Sequence, residues 1–318
     1  EAKPVELDNQ RLIRKLARRA VGADDARPSQ LEPMRMVTLD NGLRVLLQRD
    51  TRLPAVAMRW FQLGGLLADE TGEEGVANAM CTMMMRGAGE RSFDQIAELL
   101  ETTGSQLSTQ CGNNTFYVSG QALTEHWPTL LELMSDVIHE PTFPADQWAL
   151  TQPRLLAAID AIDDRWSSQM FSEFNEAYFG EHPWSQTPAG RRDVVEKLTV
   201  DDLKAFHEER IAGMAAPSVL AIVGDIDPAQ AEAMVRRHFD GGQAVEATAT
   251  DSLPDPPAVE PRIVRVTTAK PLTAVQLGWA PGLERSSDDY PAMTVLTKVA
   301  SNFPSGWIHQ ALRGEGPG

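Results

Sequence analysis

Residues 34–50, MRMVTLDNGLRVLLQRD, alternate apolar and polar positions on either side of Asn41-Gly42, the pattern of a β-hairpin. The alternation continues from Leu53 to Leu63 as a further strand, and residues 105–123 alternate again. Between these lie stretches of helical period. Residues 72–87, GEEGVANAMCTMMMRG, read as a helix, and Phe93 to Thr103 as another, with Ser92 as N-cap and Gly104 as its stop. Trp127 to His139 carries a third apolar stripe, and a long helix is expected from Ala145 to about Phe179, after Pro141 and Pro144. Then follow a Pro/Gly-punctuated loop, a helix from Val200 to Arg210, a buried strand at 218–225 and a helix from Pro228 to Phe239.

The two ends of the chain are patterned differently. Residues 10–20 place Leu12, Ile13, Leu16 and Ala20 on one stripe and Arg11, Arg14, Lys15, Arg18 and Arg19 around the rest, which suits a docking helix or linker better than a membrane-surface helix. From 241 to 261 the composition shifts to Gly, Ala, Thr, Asp and Pro, the mark of a linker. Strand patterns restart at 262–269 and 273–280, and a helix is expected from Asp289 to Ala300. The expected organisation is a linker with an amphipathic helix (1–33), a first domain (34–242), a linker (243–261) and the start of a second domain (262–318). Two strands and two short helices bury little surface on their own, so the chain, which lacks an initial Met, reads as a piece of something longer.

Composition narrows the function. The chain has 318 residues, 42% of them hydrophobic, enough for about two domains with cores. With 29 Lys+Arg against 45 Asp+Glu the formal charge is −16, which argues against a nucleic-acid partner because no clustered basic face is supplied. No run reaches the roughly 18 apolar residues of a membrane span, and no charged start followed by an apolar run marks an export signal. The two cysteines, Cys81 and Cys111, sit in no C-x-x-C or Cys/His cluster, which argues against a disulfide framework or structural zinc.

Candidate chemistry concentrates around the helix at 75–86. A pair of zinc ligands on one helix face needs His at i and i+4 with an acid beside them. Here those offsets read Asn78, Cys81 and Thr82, and all six histidines lie elsewhere. Met80, Met83, Met84 and Met85 around Cys81 point to an inert, packed thiol rather than a nucleophile, and to core or interface packing rather than a soft-metal site. Asp69, Glu70, Glu73 and Glu74 read as a solvated acidic turn capping the next helix rather than a cation site. His182-Pro183-Trp184 reads as a structural loop.

The ordered segments NGLRVLLQRD, LPAVAMRWFQLGG, GVANAMCTMMMRGAGERS, LETTGSQLSTQ, HEPTFP and VLAIVGDID resemble the pitrilysin/insulinase (inverzincin) family of zinc metallopeptidases, in its bacterial and mitochondrial-processing-peptidase-like branch. The resemblance covers nearly everything after Met34. It implies an α+β fold, a mainly antiparallel sheet with helices packed on one face, with which the strand and helix patterns are compatible. In the family this helix carries H-x-x-E-H. By that register Asn78 and Thr82 stand at the zinc ligands, Cys81 at the general base, and Ala158 at the third ligand on the long helix. The resemblance also aligns Leu312-Arg313 with a segment whose Arg holds substrate backbone; equally, Arg313 suits a helix C-terminus for its dipole.

The expected function is therefore the non-catalytic half of a zinc metallopeptidase, a subunit or second tandem repeat that is inactive by itself. It would close a chamber around a catalytic partner and help bind extended peptide, with zinc only in that partner. Two alternatives stand beside it: a structural or assembly subunit of the same fold, and an active peptidase rebuilt around Cys81. The family's frequent export in bacteria leaves a periplasmic location open.

Overall fold

The computed structural model describes residues 32–70, 72–212, 217–241, 260–271, 273–278, 283–303 and 305–313. The amphipathic stretch 10–20 and most of the linker 243–261 lie outside them. The chain divides into two compact units, Glu1–Asp255 and Pro256–Gly318.

In the first unit the elements run β1 (Arg35–Thr38), β2 (Arg44–Arg49), β3 (Ala55–Leu63), α1 (Val76–Met84), β4 (Gly87–Ala88), β5 (Arg91–Ser92), α2 (Phe93–Thr103), β6 (Gln106–Cys111), β7 (Thr115–Leu123), α3 (Trp127–His139), α4 (Ala145–Asp164), α5 (Trp166–Phe179), α6 (Arg192–Val195), α7 (Val200–His207), β8 (Ser218–Gly224) and α8 (Pro228–Phe239). The second contains α9 (Tyr290–Ser301) and α10 (Trp307–Arg313).

Six strands form one sheet in the order β1-β2-β8-β3-β7-β6, antiparallel at every pair except β2–β8. Period-two alternation fixes which side faces the core. In β3, Val56, Met58, Trp60 and Gln62 are buried on one face. On the other, the Arg59 guanidinium lies 5.7 Å from the Phe61 ring centroid and 5.8 Å from that of Tyr117. The helices cover the first face: α1 against β6, α3 against β7 and α8 against β2. The fold is α+β, with a mostly antiparallel sheet and one helical layer.

Local signals set the element ends. Ser92 and Gln95 close a capping box at α2, with Gln95 N donating to Ser92 Oγ at 3.3 Å and Ser92 N to Gln95 Oε1 at 2.8 Å. Gly104, at φ 61°, ends that helix. At the first hairpin Gly42 takes φ 91°. Buried Asn41 accepts from Leu43 N at 3.1 Å and donates to Phe239 O at 2.5 Å, tying the turn to the end of α8.

Four expectations need correction. The helix expected from Ala145 to Phe179 is two helices broken at Arg165, whose ψ is 114°. Asp163 and Asp164 are weak helix formers and Asp160–Asp164 is a repelling i,i+4 pair, whereas Pro153 stays inside α4. The helix expected over 72–87 is shorter, because Gly75 at φ 109° starts it. The helix from Val200 loosens after His207 into a π-type turn, Glu208–Ala212. Finally, no strand forms over the described residues of 262–269 and 273–280. Alternation alone does not make a strand, since its backbone groups need a neighbouring ladder and a two-stranded hairpin is marginal.

Candidate functional site

Helix α1 is apolar nearly all round, which is the pattern of a helix enclosed by its neighbours. Ala77, Ala79, Met80, Cys81, Met83 and Met84 are all buried, in contact distance of β6, α4 and α7, while Asn78 and Thr82 are half-buried. Its first turn is fixed from two sides. Gly75 lies so close to Gly190 that a Cβ on it would approach Gly190 Cα to 2.8 Å, and Arg191 N donates to Glu74 O at 3.0 Å. Asp69 reaches across from the preceding loop, accepting from Gly75 N at 2.8 Å and Ala77 N at 2.9 Å. These are orphan donors of the helix start.

The acidic loop thus does cap the helix, but Asp69 is half-buried rather than solvated. Burial raises its carboxyl from the ordinary range to about 6, against the two backbone hydrogen bonds, which favour the carboxylate. Glu74 is also buried, and exposed Glu70 pairs with Arg210 at 2.9 Å. Of the four acids expected to cap the helix, Asp69 makes these bonds to its first backbone nitrogens.

The positions aligned with the metal ligands supply little to grip zinc. Thr82 Oγ1 donates its proton to Asn78 O at 2.8 Å, one turn back. The hydrogen bond with the Cys111 side chain, and then burial, raise the Cys81 thiol well above the ordinary cysteine range, so it stays protonated. Zinc takes a thiolate, a neutral imidazole or a carboxylate. Ala158 is an exposed alanine on α4 with no donor, and its neighbour Ala157 is the same. The donor set does not fit the metal. Among the described residues no group of three or more His, Cys, Asp or Glu is arranged to hold a metal ion.

The other candidates fall elsewhere. His182 accepts from Trp184 N at 3.1 Å through Nδ1 and packs tilted against Phe179 and edge-on to Trp184, a loop anchor. Arg313 is the last residue of α10 in the second unit, and its side chain lies outside the described residues. What sequence reasoning missed is Cys111, at the end of β6. Together with burial it raises the Cys81 thiol, and Thr109 on the same strand donates through Oγ1 to Cys81 O at 2.6 Å. A strand residue facing a helix residue across 30 positions leaves no local spacing signal.

Residues 44–190 match the family model described as insulinase, peptidase family M16, and residues 197–318 match that of the peptidase M16 inactive domain. The chain belongs to the M16 family. Among curated relatives, an uncharacterized zinc protease of Mycobacterium leprae is 25% identical over 206 residues, 64% of this chain and 45% of its own length. The M16 chain thus spans about half the length of the curated relatives it matches. Among solved structures, the peptidase M16 inactive domain from Pseudomonas fluorescens superposes with a TM-score of 0.70 at 20% identity, covering 89% of this chain and 68% of that one. A protease from Helicobacter pylori gives a TM-score of 0.71 at 16% identity, covering 89% and 69%. At such identities the likeness is one of fold. Among the described residues of this M16 chain no helix is long and apolar enough to cross a membrane.

Proposed function

We propose that this M16 chain acts as a non-catalytic half, closing a peptide-binding chamber around a catalytic partner half that carries the zinc. One observation carries the reading: β6 is an edge strand of the sheet, and it lies directly against α1, the helix whose ligand positions hold Asn78, Cys81 and Thr82. The peptide-presenting part of the scaffold is thus retained where the metal-gripping part is lost. An edge strand offers unpaired N–H and C=O groups to an extended peptide, and the outward Gln106, Ser108 and Gln110 keep that rim polar. Arg313, in the second domain, would hold substrate backbone. The match of 197–318 to the inactive-domain model supports the same reading.

A rebuilt peptidase centred on Cys81 is disfavoured, because a buried thiol held in its protonated form is a poor nucleophile. The test is binding and turnover of a fluorescent extended peptide by the full chain. Binding without cleavage is expected, weakened by Arg313→Ala and abolished when alternate backbone nitrogens of the peptide are methylated. Binding indifferent to both changes would leave only a scaffolding role, and cleavage that disappears in Cys81→Ser would establish the thiol enzyme instead.

A further inference from the structure

Two arginines along one seam of the first unit meet no carboxylate, although the chain carries 45 Asp+Glu. Helices α1 and α4 run antiparallel there. At one end a Cβ on Gly87, just past α1, would lie 3.1 Å from Pro144 Cγ, just before α4. At the other, a Cβ on Gly75 would lie 2.8 Å from Val195 Cγ2, and Gln152 of α4 donates to Val195 O at 2.9 Å. Arg86 follows the last turn of α1, its N–H donating to Met83 O at 2.9 Å, and its guanidinium lies 4.7 Å from the Phe93 ring centroid. Nε is enclosed there without a hydrogen-bond partner, while the terminal nitrogens stay open to solvent. Arg154 is exposed on α4, and helix side chains lean toward the N-terminus, which in α4 is the Arg86 end. Among the described residues neither arginine has an ion-pair partner, whereas Arg91 binds Glu132 and Asp136, and Arg192 binds Asp160. Burial, and then the charge of Arg154, lower the Arg86 guanidinium, as expected of a cation short of a counter-ion.

We propose that Arg86 and Arg154 form an anion subsite in the seam between α1 and α4, one that takes a carboxylate of an extended peptide. Arg86 lies four residues beyond Thr82 and Arg154 four before Ala158, so the pair continues the stripes on which the metal-ligand positions stand. The chain thus engages an anion beside the place where its relatives' motif grips a cation. Phe93 fixes the plane of the Arg86 fork, which suits two parallel N–H···O bonds to the oxygens of one carboxylate, and Arg154 adds a second charge. Because Arg86 is already held, little of its freedom is lost on binding. An acidic side chain and a peptide C-terminus offer the same chemistry. The identity of the ligand rests on the peptide-binding role proposed above; the anion site itself does not.

The test measures binding of the full chain to fluorescent extended peptides that differ only by Glu or Gln at one internal position, or by a free or amidated C-terminus. The acidic member of one pair should bind roughly ten-fold tighter, the value of one charge-assisted hydrogen bond, and that pair identifies the source of the carboxylate. Arg86→Gln should erase the preference, and Arg86→Lys, which keeps the charge without the fork, should retain part of it. Arg154→Gln, at an exposed position that folding does not need, should weaken it. A second measurement needs no peptide: succinate, added at constant ionic strength, should shift the Nε–H resonance of Arg86 in the isotope-labelled chain. Such a shift in a chain that binds none of the peptides would uphold the anion site and refute the peptide-binding role. Equal affinity within both peptide pairs, a preference that survives both Gln variants, or an Arg86 resonance indifferent to succinate would overturn the proposal and leave Arg86 a packing cation over Phe93.

Discussion

The two units of the chain carry similar alternating and amphipathic patterns, yet only one converts them into a core. In the first, Trp60 is 1% exposed and Leu131 wholly buried, because a sheet face and a helical layer close over them. In the second, Ile263 is 82% and Trp307 61% exposed, and α9 buries no residue. Apolar periodicity states only which face wants cover; the free energy appears when a second layer removes that face from water.

The sharpest test of this contrast is a matched pair of truncations. Leu131→Ala removes a side chain from the centre of the α3 layer and should cost about 2 to 5 kcal/mol in urea denaturation. Val275→Ala in the second unit, where the side chain is 60% exposed, should stay within about 0.5 kcal/mol. Equal losses would mean that the second unit is packed as tightly as the first.

A smaller effect is expected where the first unit depends on backbone proximity. Gly75→Ala must place a Cβ at φ 109° and against the backbone of Gly190, so a loss of roughly 2 to 4 kcal/mol is expected. Gly241, where a Cβ meets nothing within 4 Å, should accept alanine with little change. Below that comes Asn41→Ala, which leaves the Phe239 carbonyl and the Leu43 amide without their buried partner and should cost about 1 to 3 kcal/mol. Thermal and urea unfolding of the three variants would rank them.

The same contrast governs what could be read from the sequence. Elements that carry their own punctuation were legible: Ser92 and Gly104 around α2, the Asn41-Gly42 turn, and Trp127 to His139 with prolines beyond it. The break at Arg165 has no Gly or Pro to announce it, and the strand patterns after 261 meet no partner strand among the described residues. At the candidate site, the positions Asn78, Cys81 and Thr82 followed from register along one helix. The Thr109–Cys81 contact did not, because only the folded chain brings its groups together; the cap of α1 was legible as an acidic turn, but not the particular reach of Asp69 to Gly75 N and Ala77 N.

Asp69 offers the finest test, since it sets the start of α1 by electrostatics rather than by packing. Its carboxyl titrates near 6 in the folded chain and about 3.9 when unfolded, so the native state binds the proton more tightly. The stability this contributes is fully present below about pH 3.9 and is lost as the pH rises through 6. Buried His139 has the opposite sign: burial, with a smaller contribution from His207, lowers it to about 4. Its contribution is present above about pH 6.5 and is lost as the pH falls through 4. The two trends overlap between pH 4 and 6.5, and the pH profile of the wild-type chain alone cannot separate them. Asp69→Asn removes one and leaves the other. The stability difference, wild type minus variant, should therefore fall by about 1 to 2 kcal/mol between pH 4.5 and 7.5, read from urea midpoints across that range. A difference that stays flat would mean that Asp69 is solvated as an ordinary surface carboxylate and that its hold on α1 does not depend on partial burial.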